Sequence, residues 1–246
     1  MELYYRAPIA GISAVNHRRF LSQVYEGLLL KMGEKGNDGG QFFTPRDVIR
    51  AVVKAVDPSP RDTIYDPCCG TGGFLIEAFK HMGGRLGDEA TGADVTAMGS
   101  SRLYGREKEH LIFPIALANL ALHGIDAPNL WHGNTLAGRE EYGGLWHDAP
   151  PLFDIVLTNP PFGGQENADV QTGFAYRTSA TQILFLQHVI DSLTAKGRCG
   201  MVVDEGVMSG RTRTPLSRPS VSCSTAATFG PSSRYPPALS PRPAPA

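Results

Sequence analysis

Asn159-Pro160-Pro161-Phe162 places an amide, a backbone carbonyl that no helix can claim and an aromatic ring within four residues. It follows the apolar run Phe153-Asp154-Ile155-Val156-Leu157, with Thr158 between. A run this short, partly β-branched and stopped by Pro160 and Pro161, predicts a buried strand whose carboxyl end opens into a rigid turn. Open α/β sheets hold their ligands at such ends. The tetrad suits a planar amino group. An exocyclic amine such as adenine N6 is a poor nucleophile, because its lone pair is delocalised into the ring. If the Asn159 side-chain oxygen and the Pro160 carbonyl each accept one N–H, the nitrogen is held toward tetrahedral geometry and its lone pair points at an incoming electrophile. Phe162 stacks on the ring and fixes its plane. Positioning and placed dipoles then suffice, without a metal or a covalent intermediate. The competing interpretation is an ordinary Pro-Pro turn after a strand.

A second cluster precedes it. Asp62 to Tyr65 predicts a short strand, followed by Asp66-Pro67-Cys68-Cys69-Gly70-Thr71-Gly72-Gly73-Phe74 and a helix through Met82. Strand, glycine-rich turn and helix let the backbone approach a ligand, and the helix N-terminus favours negative charge. The turn lacks the Lys-Ser/Thr of a phosphate-binding loop and the spacing of Gly-x-Gly-x-x-Gly. Asp66, at the strand end, suits a ligand's charged amino group better than a pyrophosphate. Leu103 to Glu107 reads as a second strand ending in an acid, where such folds bind a ribose diol. Asp94 competes for that role at a more usual distance from Gly73, but it sits in a stretch, 83–101, that is rich in small residues and reads as a loop. Pro114 to Leu122 predicts a helix, with Asn119 in its core-packing run. Leu130 to His132 predicts a third strand, after which Asn134 either meets a ligand's ring or forms the turn.

The elements that must position these residues lie on both sides. Arg19 to Met32 carries Phe20, Leu21, Val24, Tyr25, Leu28 and Met32 on one helical face, followed by a flexible connector to Gly40. Next come Gln41, Phe42, Phe43, Thr44, Pro45 and Arg46, with Thr44 as N-cap and Pro45 at the first position of a helix continued to Val56. That loop either offers aromatic and polar side chains to a ligand or is a capped helix start with an apolar staple. Residues 163–178 form a polar loop suited to substrate contacts. A helix from Thr181 to Leu193, with Gly197 as its C-cap, leads into a strand from Cys199 to Val203.

Composition narrows the possibilities. The 246 residues are 41% hydrophobic and 19% charged, which suits one domain with a real core. There is no bilayer-length apolar run and no signal-peptide layout, so the expected location is cytoplasmic. The four cysteines and seven scattered histidines have no metal spacing, and the thiols are expected to be reduced. All 24 Asp and Glu lie within residues 1–205, against 18 Lys and Arg there and five Arg beyond, so that segment has a net charge of −6. Binding to DNA by charge alone is not expected of it.

Alternating strands and helices, the Asp-Pro-x-x-Gly-x-Gly-Gly turn ending at Gly73 and Asn-Pro-Pro-Phe after the fourth strand together resemble the class I S-adenosylmethionine-dependent methyltransferases, whose fold is a doubly wound, Rossmann-like α/β sheet. Within them, Gly-Gln-Phe-Phe-Thr-Pro-Arg ahead of the first strand, Tyr-Gly-Arg-Glu, His-Gly-Asn-Thr-Leu and Thr-Asn-Pro-Pro-Phe-Gly are similar to the modification subunit of type I restriction-modification systems, over about residues 19–208. The resemblance implies N6-adenine methylation of DNA on a flipped-out base. It implies S-adenosylmethionine as cofactor, and a specificity subunit and a restriction subunit as partners. By position, it implies that Gln41 to Arg46 and the turn Gly70, Thr71, Gly72 and Gly73 line the cofactor site. Asp66 would lie near the methionyl end, Glu107 on the ribose and Asn134 near the adenine ring. Asn159, Pro160, Pro161 and Phe162 would hold the target base. Asn-Pro-Pro-aromatic also occurs in methyltransferases acting on protein glutamine or on guanine N2 of RNA, and an inactive remnant is a third expectation.

Two stretches depart from the family pattern. The family's helical N-terminal region is represented only within 1–40, ahead of a methyltransferase domain over 41–208. The tail over 209–246 is rich in Pro, Ser and Arg and has no periodicity, so it is expected to be disordered. Read one base back, the codons from the end of Thr228 through Ala238 can encode Leu-Trp-Ala-Ile-Val-Ser-Leu-Pro-Pro-Gly, similar to the family's next strand. This suggests a frameshift between Met208 and Thr214.

Overall fold

The structure, a computed structural model, describes residues 44–87, 90–137, 149–203 and 222–223. The expected helix over 19–32, and Gln41, Phe42 and Phe43, lie outside these residues. The described chain alternates helix and strand: α1 (Arg46–Val56), β1 (Ile64–Asp66), α2 (Gly73–Gly83), α3 (Gly92–Ser101), β2 (Leu103–Glu107), α4 (Ile112–Leu122), β3 (Asn129–His132), β4 (Phe153–Thr158), α5 (Ala168–Gln171), α6 (Thr181–Asp191), β5 (Leu193–Met201) and β6 (Ser222–Cys223). The strands form one sheet in the order β3-β2-β1-β4-β5-β6, and every pairing is parallel. The order reverses between β1 and β4, where doubly wound sheets open a crevice at the carboxyl ends of their strands.

The apolar runs explain the layering. Both faces of the central strands are covered, so Ile64, Ile155 and Leu157 pack into one core with α1 and α2, while Tyr65, Val156 and Phe153 pack into another with Leu184, Phe185 and Val189 of α6. Helix α1 buries Ile49, Val52, Val53 and Val56, each contributing about 1.5–3 kcal/mol of transfer free energy. It settles on β5 at Gly200, where a Cβ would come within 2.5 Å of Val52 Cγ1. At the amino ends of the central strands, Asp154 Oδ2 accepts from Thr63 N and from Thr63 Oγ1, both at 2.9 Å. This ties β4 to β1 at the end away from the crevice.

Several elements differ from expectation. Residues 92–101 form α3 instead of a loop. Thr91 and Asp94 cap it reciprocally, Thr91 N donating to Asp94 Oδ2 at 2.7 Å and Asp94 N to Thr91 Oγ1 at 3.3 Å. Only Met98 and Gly99 of this helix are buried, so it carries no apolar stripe that periodicity could reveal. Gly197 is not a helix cap: α6 ends earlier, with Ser192 Oγ donating to the His188 carbonyl at 2.7 Å, and Gly197 lies inside β5. The register there jumps from Phe153↔Leu193 to Ile155↔Arg198, a bulge that absorbs Thr194 to Gly197. Within the expected polar loop, α5 forms one turn, and an isolated antiparallel bridge joins Gln165 to Ala180. In the stretch expected to be disordered, Ser222 and Cys223 pair with Arg198 and Cys199, while the rest of 204–246 lies outside the described residues. No helix among the described residues is long and apolar enough to cross a membrane.

Candidate active site

A cavity of about 320 Å³ opens at the carboxyl ends of β1 and β4, within the size range of small-molecule sites. Asp66, which ends β1, is buried in its wall. Its Oδ1 accepts from Thr158 Oγ1 at 2.8 Å and from Cys68 N at 3.2 Å, and Oδ2 has no partner among the described residues. Burial raises its carboxyl to about 7 against the pull of those two bonds. Because the single Thr158 proton goes to Asp66, the Cys68 thiol donates to Thr158 Oγ1 at 3.0 Å. Burial, and then the nearby Asp66 carboxyl, push that thiol well above its usual range, which keeps it a donor.

The turn that follows is held by bonds to its neighbours. Gly70 and Gly72 take positive φ, 53° and 82°, a region that side chains other than Gly enter at a cost. Gly70 N donates to Glu107 Oε2 at 2.9 Å, and Glu109 N donates to Glu107 Oε1 at 2.8 Å. Burial raises the Glu107 carboxyl, while these backbone bonds lower it. Asn119, fully buried in α4, donates from Nδ2 to the Thr71 carbonyl at 2.7 Å. Thr135 Oγ1 donates to the Pro67 carbonyl, so the turn is pinned from β2, α4 and the end of β3. Asn134 Oδ1 accepts from Leu136 N at 3.1 Å, so this side chain forms the turn and also lines the cavity.

Across the cavity, Asn159 begins the turn after β4. Its Nδ2 donates to Thr44 Oγ1 at 2.9 Å, and its Oδ1 is buried without a hydrogen-bond partner among the described residues. A buried acceptor left open costs about 1–3 kcal/mol, so a ligand donor placed there is stabilised. The Pro160 carbonyl likewise accepts no hydrogen bond among the described residues. Gly163 and Gly164 follow at φ 79° and 86° and line the same cavity, as do Gln165 and Glu166.

The fold brings most of the expected residues to one cavity. Thr44, Arg46, Gly70, Thr71 and Gly73 line it, as do Asp66, Glu107, Asn134, Asn159 and Pro161. Pro45, Gly72, Pro160 and Phe162 are not among the residues that line it, and Phe162 has 49% of its surface exposed. Asp94 caps α3 and does not reach the cavity. Thr44 does not cap α1: Pro45 occupies the N-cap position, and no side chain caps the helix. Three residues not singled out in the sequence prove structural here, namely Thr158, Cys68 and Thr135. Thr158 and Thr135 each adjoin a candidate residue, and that adjacency was the available signal. No group of three or more metal-ligating side chains occurs among the described residues.

The family model for N-6 DNA methylases matches residues 16–215. The methylase subunit of the type I restriction enzyme EcoEI from Escherichia coli is 36% identical over 201 residues, covering 80% of this chain and 39% of the relative. A chain from a solved structure of a type I restriction-modification system is 39% identical with a TM-score of 0.70, covering 78% of this chain and 38% of that one. The M protein of the type I restriction enzyme EcoKI is 27% identical with a TM-score of 0.59, covering 77% and 45%. This chain thus spans between about a third and two fifths of the length of curated relatives that it matches.

Proposed function

The chain belongs to the N-6 DNA methylase family, and from that membership we propose that it carries the methyltransferase site of a type I modification subunit, moving a methyl group from S-adenosylmethionine to N6 of an adenine flipped out of DNA. The observation that carries this proposal is the Asn159 amide, tied back through Nδ2 and open at a buried Oδ1, next to an unclaimed Pro160 carbonyl.

The residues present fit the cofactor. Asp66 Oδ2 is open to an ammonium group, the Glu107 carboxylate keeps lone pairs for ribose hydroxyls, and Asn134 lines the cavity where an adenine edge would lie. Arg46, Thr71 and Gly73 complete that wall. When bound, S-adenosylmethionine supplies a methyl group activated by a positively charged sulfur. The chain's task is then to present the amine. Asn159 Oδ1 and the Pro160 carbonyl accept the two N6–H bonds, which turns the nitrogen lone pair out of conjugation. Neither carbonyl oxygen is basic enough to keep a proton, so the one lost from nitrogen passes to water. Phe162 offers its face to the base. With a net charge of −6 over residues 1–205, DNA affinity would come from a specificity subunit, and a restriction subunit would complete the assembly.

The test is methyl transfer from labelled S-adenosylmethionine by the full-length subunit together with its specificity partner, followed by digestion of the DNA to nucleosides. Label in N6-methyladenine is expected. Label in a cytosine derivative, or in protein glutamine, would overturn the assignment.

A further inference from the structure

We propose that Thr44 is a positioning residue for Asn159 rather than a contact for the cofactor. This rests on the role just given to the Asn159 oxygen. The two residues lie 115 positions apart in sequence and are joined by one hydrogen bond of 2.9 Å, from Asn159 Nδ2 to Thr44 Oγ1. That bond is the amide's only one among the described residues, since Oδ1 is unpartnered.

The terminal torsion of an Asn side chain is broad and nearly two-fold, so packing alone holds the amide plane weakly. A hydroxyl fixed on one side of the amide sets that plane and, with Nδ2 as the donor, leaves Oδ1 as the unpaired end. Accepting from Nδ2 also polarises the amide and strengthens Oδ1 as an acceptor. Without the hydroxyl, the amide loses the one hydrogen bond that fixes its plane among the described residues. An amide free to rotate spends part of its time with Nδ2 toward the target amine, donor against donor.

Thr44 is free to do this because the helix does not use its side chain. Val48 N and Ile49 N both donate to the Pro45 carbonyl, at 3.0 and 3.1 Å, and α1 has no side-chain cap. Pro45 fixes the backbone directly after Thr44, and Ile49, Val52, Val53 and Val56 dock α1 on the sheet. The hydroxyl is thus presented by a rigid element, as a positioning group requires.

The variants are Thr44→Val, of nearly the same shape without the hydroxyl, and Thr44→Ser, which retains it. In the full-length subunit with its specificity partner, Thr44→Val should lower kcat roughly tenfold to a hundredfold, less than the 10²–10³ typical of losing a direct polar contact. Affinity for S-adenosylmethionine should stay within about twofold, and Thr44→Ser should restore most of kcat. In an Asn159→Ala background, Thr44→Val should have no further effect. Independently of turnover, the Asn159 side-chain amide resonances of the full chain, assigned by their loss in Asn159→Ala, should move toward free-amide values in Thr44→Val and remain in place in Thr44→Ser. Equal damage from both Thr44 variants, an unchanged kcat in Thr44→Val, or a cofactor affinity that falls in step with rate would overturn the proposal. If Asn159→Ala itself leaves kcat intact, the role of Asn159 falls instead, while the resonances still decide whether Thr44 holds its amide.

Discussion

The two walls of the cavity treat their polar groups in opposite ways. On the β1 side, Glu107 takes two backbone N–H groups, Asn119 takes the Thr71 carbonyl and Thr158 links Asp66 to Cys68. The N–H groups of Cys68, Cys69, Gly70 and Gly72 are taken up by the chain itself, and Asp66 Oδ2 has no partner among the described residues. On the β4 side, a single bond from Thr44 steadies Asn159, the amide oxygen and the Pro160 carbonyl are open, and Phe162 is half in solvent. A wall whose shape is held from several elements suits a ligand that returns unchanged in outline each turnover. A wall with open acceptors suits a group that arrives only during reaction. The contrast predicts that single substitutions divide cleanly, lowering rate on one side and affinity on the other.

The largest effect should come from Asn159→Ala, which removes the open acceptor. Methyl transfer should fall by at least about 10²–10³, with affinity for S-adenosylmethionine within about twofold of the parent by calorimetry. A matched loss of affinity would put Asn159 on the cofactor wall and dissolve the distinction.

Next in size is Asp66→Ala. Losing a charge-assisted contact of about 1.5–3 kcal/mol should weaken cofactor affinity roughly tenfold to more than a hundredfold. The pH dependence sharpens this. In the free protein the Asp66 carboxyl titrates at about 7, and a bound ammonium would draw that value down. Binding would then release a proton below pH 7. Affinity should weaken as pH falls, by up to about tenfold per unit, and level off above 7. Asp66→Ala should flatten the slope, whereas a parent affinity that does not vary between pH 5.5 and 8 would show that the carboxylate does not meet a cation.

What the sequence makes legible, and what it hides, follows the same division. Asp66 to Gly73 and Asn159 to Phe162 are readable because each joins a short apolar run to residues that only a special backbone accommodates. The parallel sheet follows once alternating strands and helices are recognised, whereas the order of its strands does not. Helix α3 is hidden because its residues are small and barely buried, although Thr91 and Asp94 form a capping box that a search for helix starts could have found. The end of α6 is hidden because Gly197 serves a bulge, and in sequence a bulge glycine and a cap glycine look alike. The bond between Thr44 and Asn159 is not readable at all. A Thr before Pro reads as a cap, and only the assembled sheet reveals that the hydroxyl turns to a partner 115 residues away.

The smallest effect separates bracing from contact on the better-satisfied wall. Asn119 supports the turn from behind, donating to the Thr71 carbonyl, yet its own Oδ1 is buried without a partner among the described residues. Asn119→Leu, alike in branching and in number of heavy atoms, would leave the Thr71 carbonyl unpaired but would also remove that unsatisfied oxygen, so the two desolvation costs largely offset. A neutral hydrogen bond contributes only about 0.5–1.5 kcal/mol net, and the turn would still be held by Glu107 at Gly70 and by Thr135 at Pro67. Thermal stability should change little, cofactor affinity should fall only about threefold and kcat with saturating cofactor should be unaltered. An affinity loss as large as that of Asp66→Ala would mean that one amide, rather than bonds from three elements, holds the turn in shape. The β1 wall would then be as delicately supported as the β4 wall opposite.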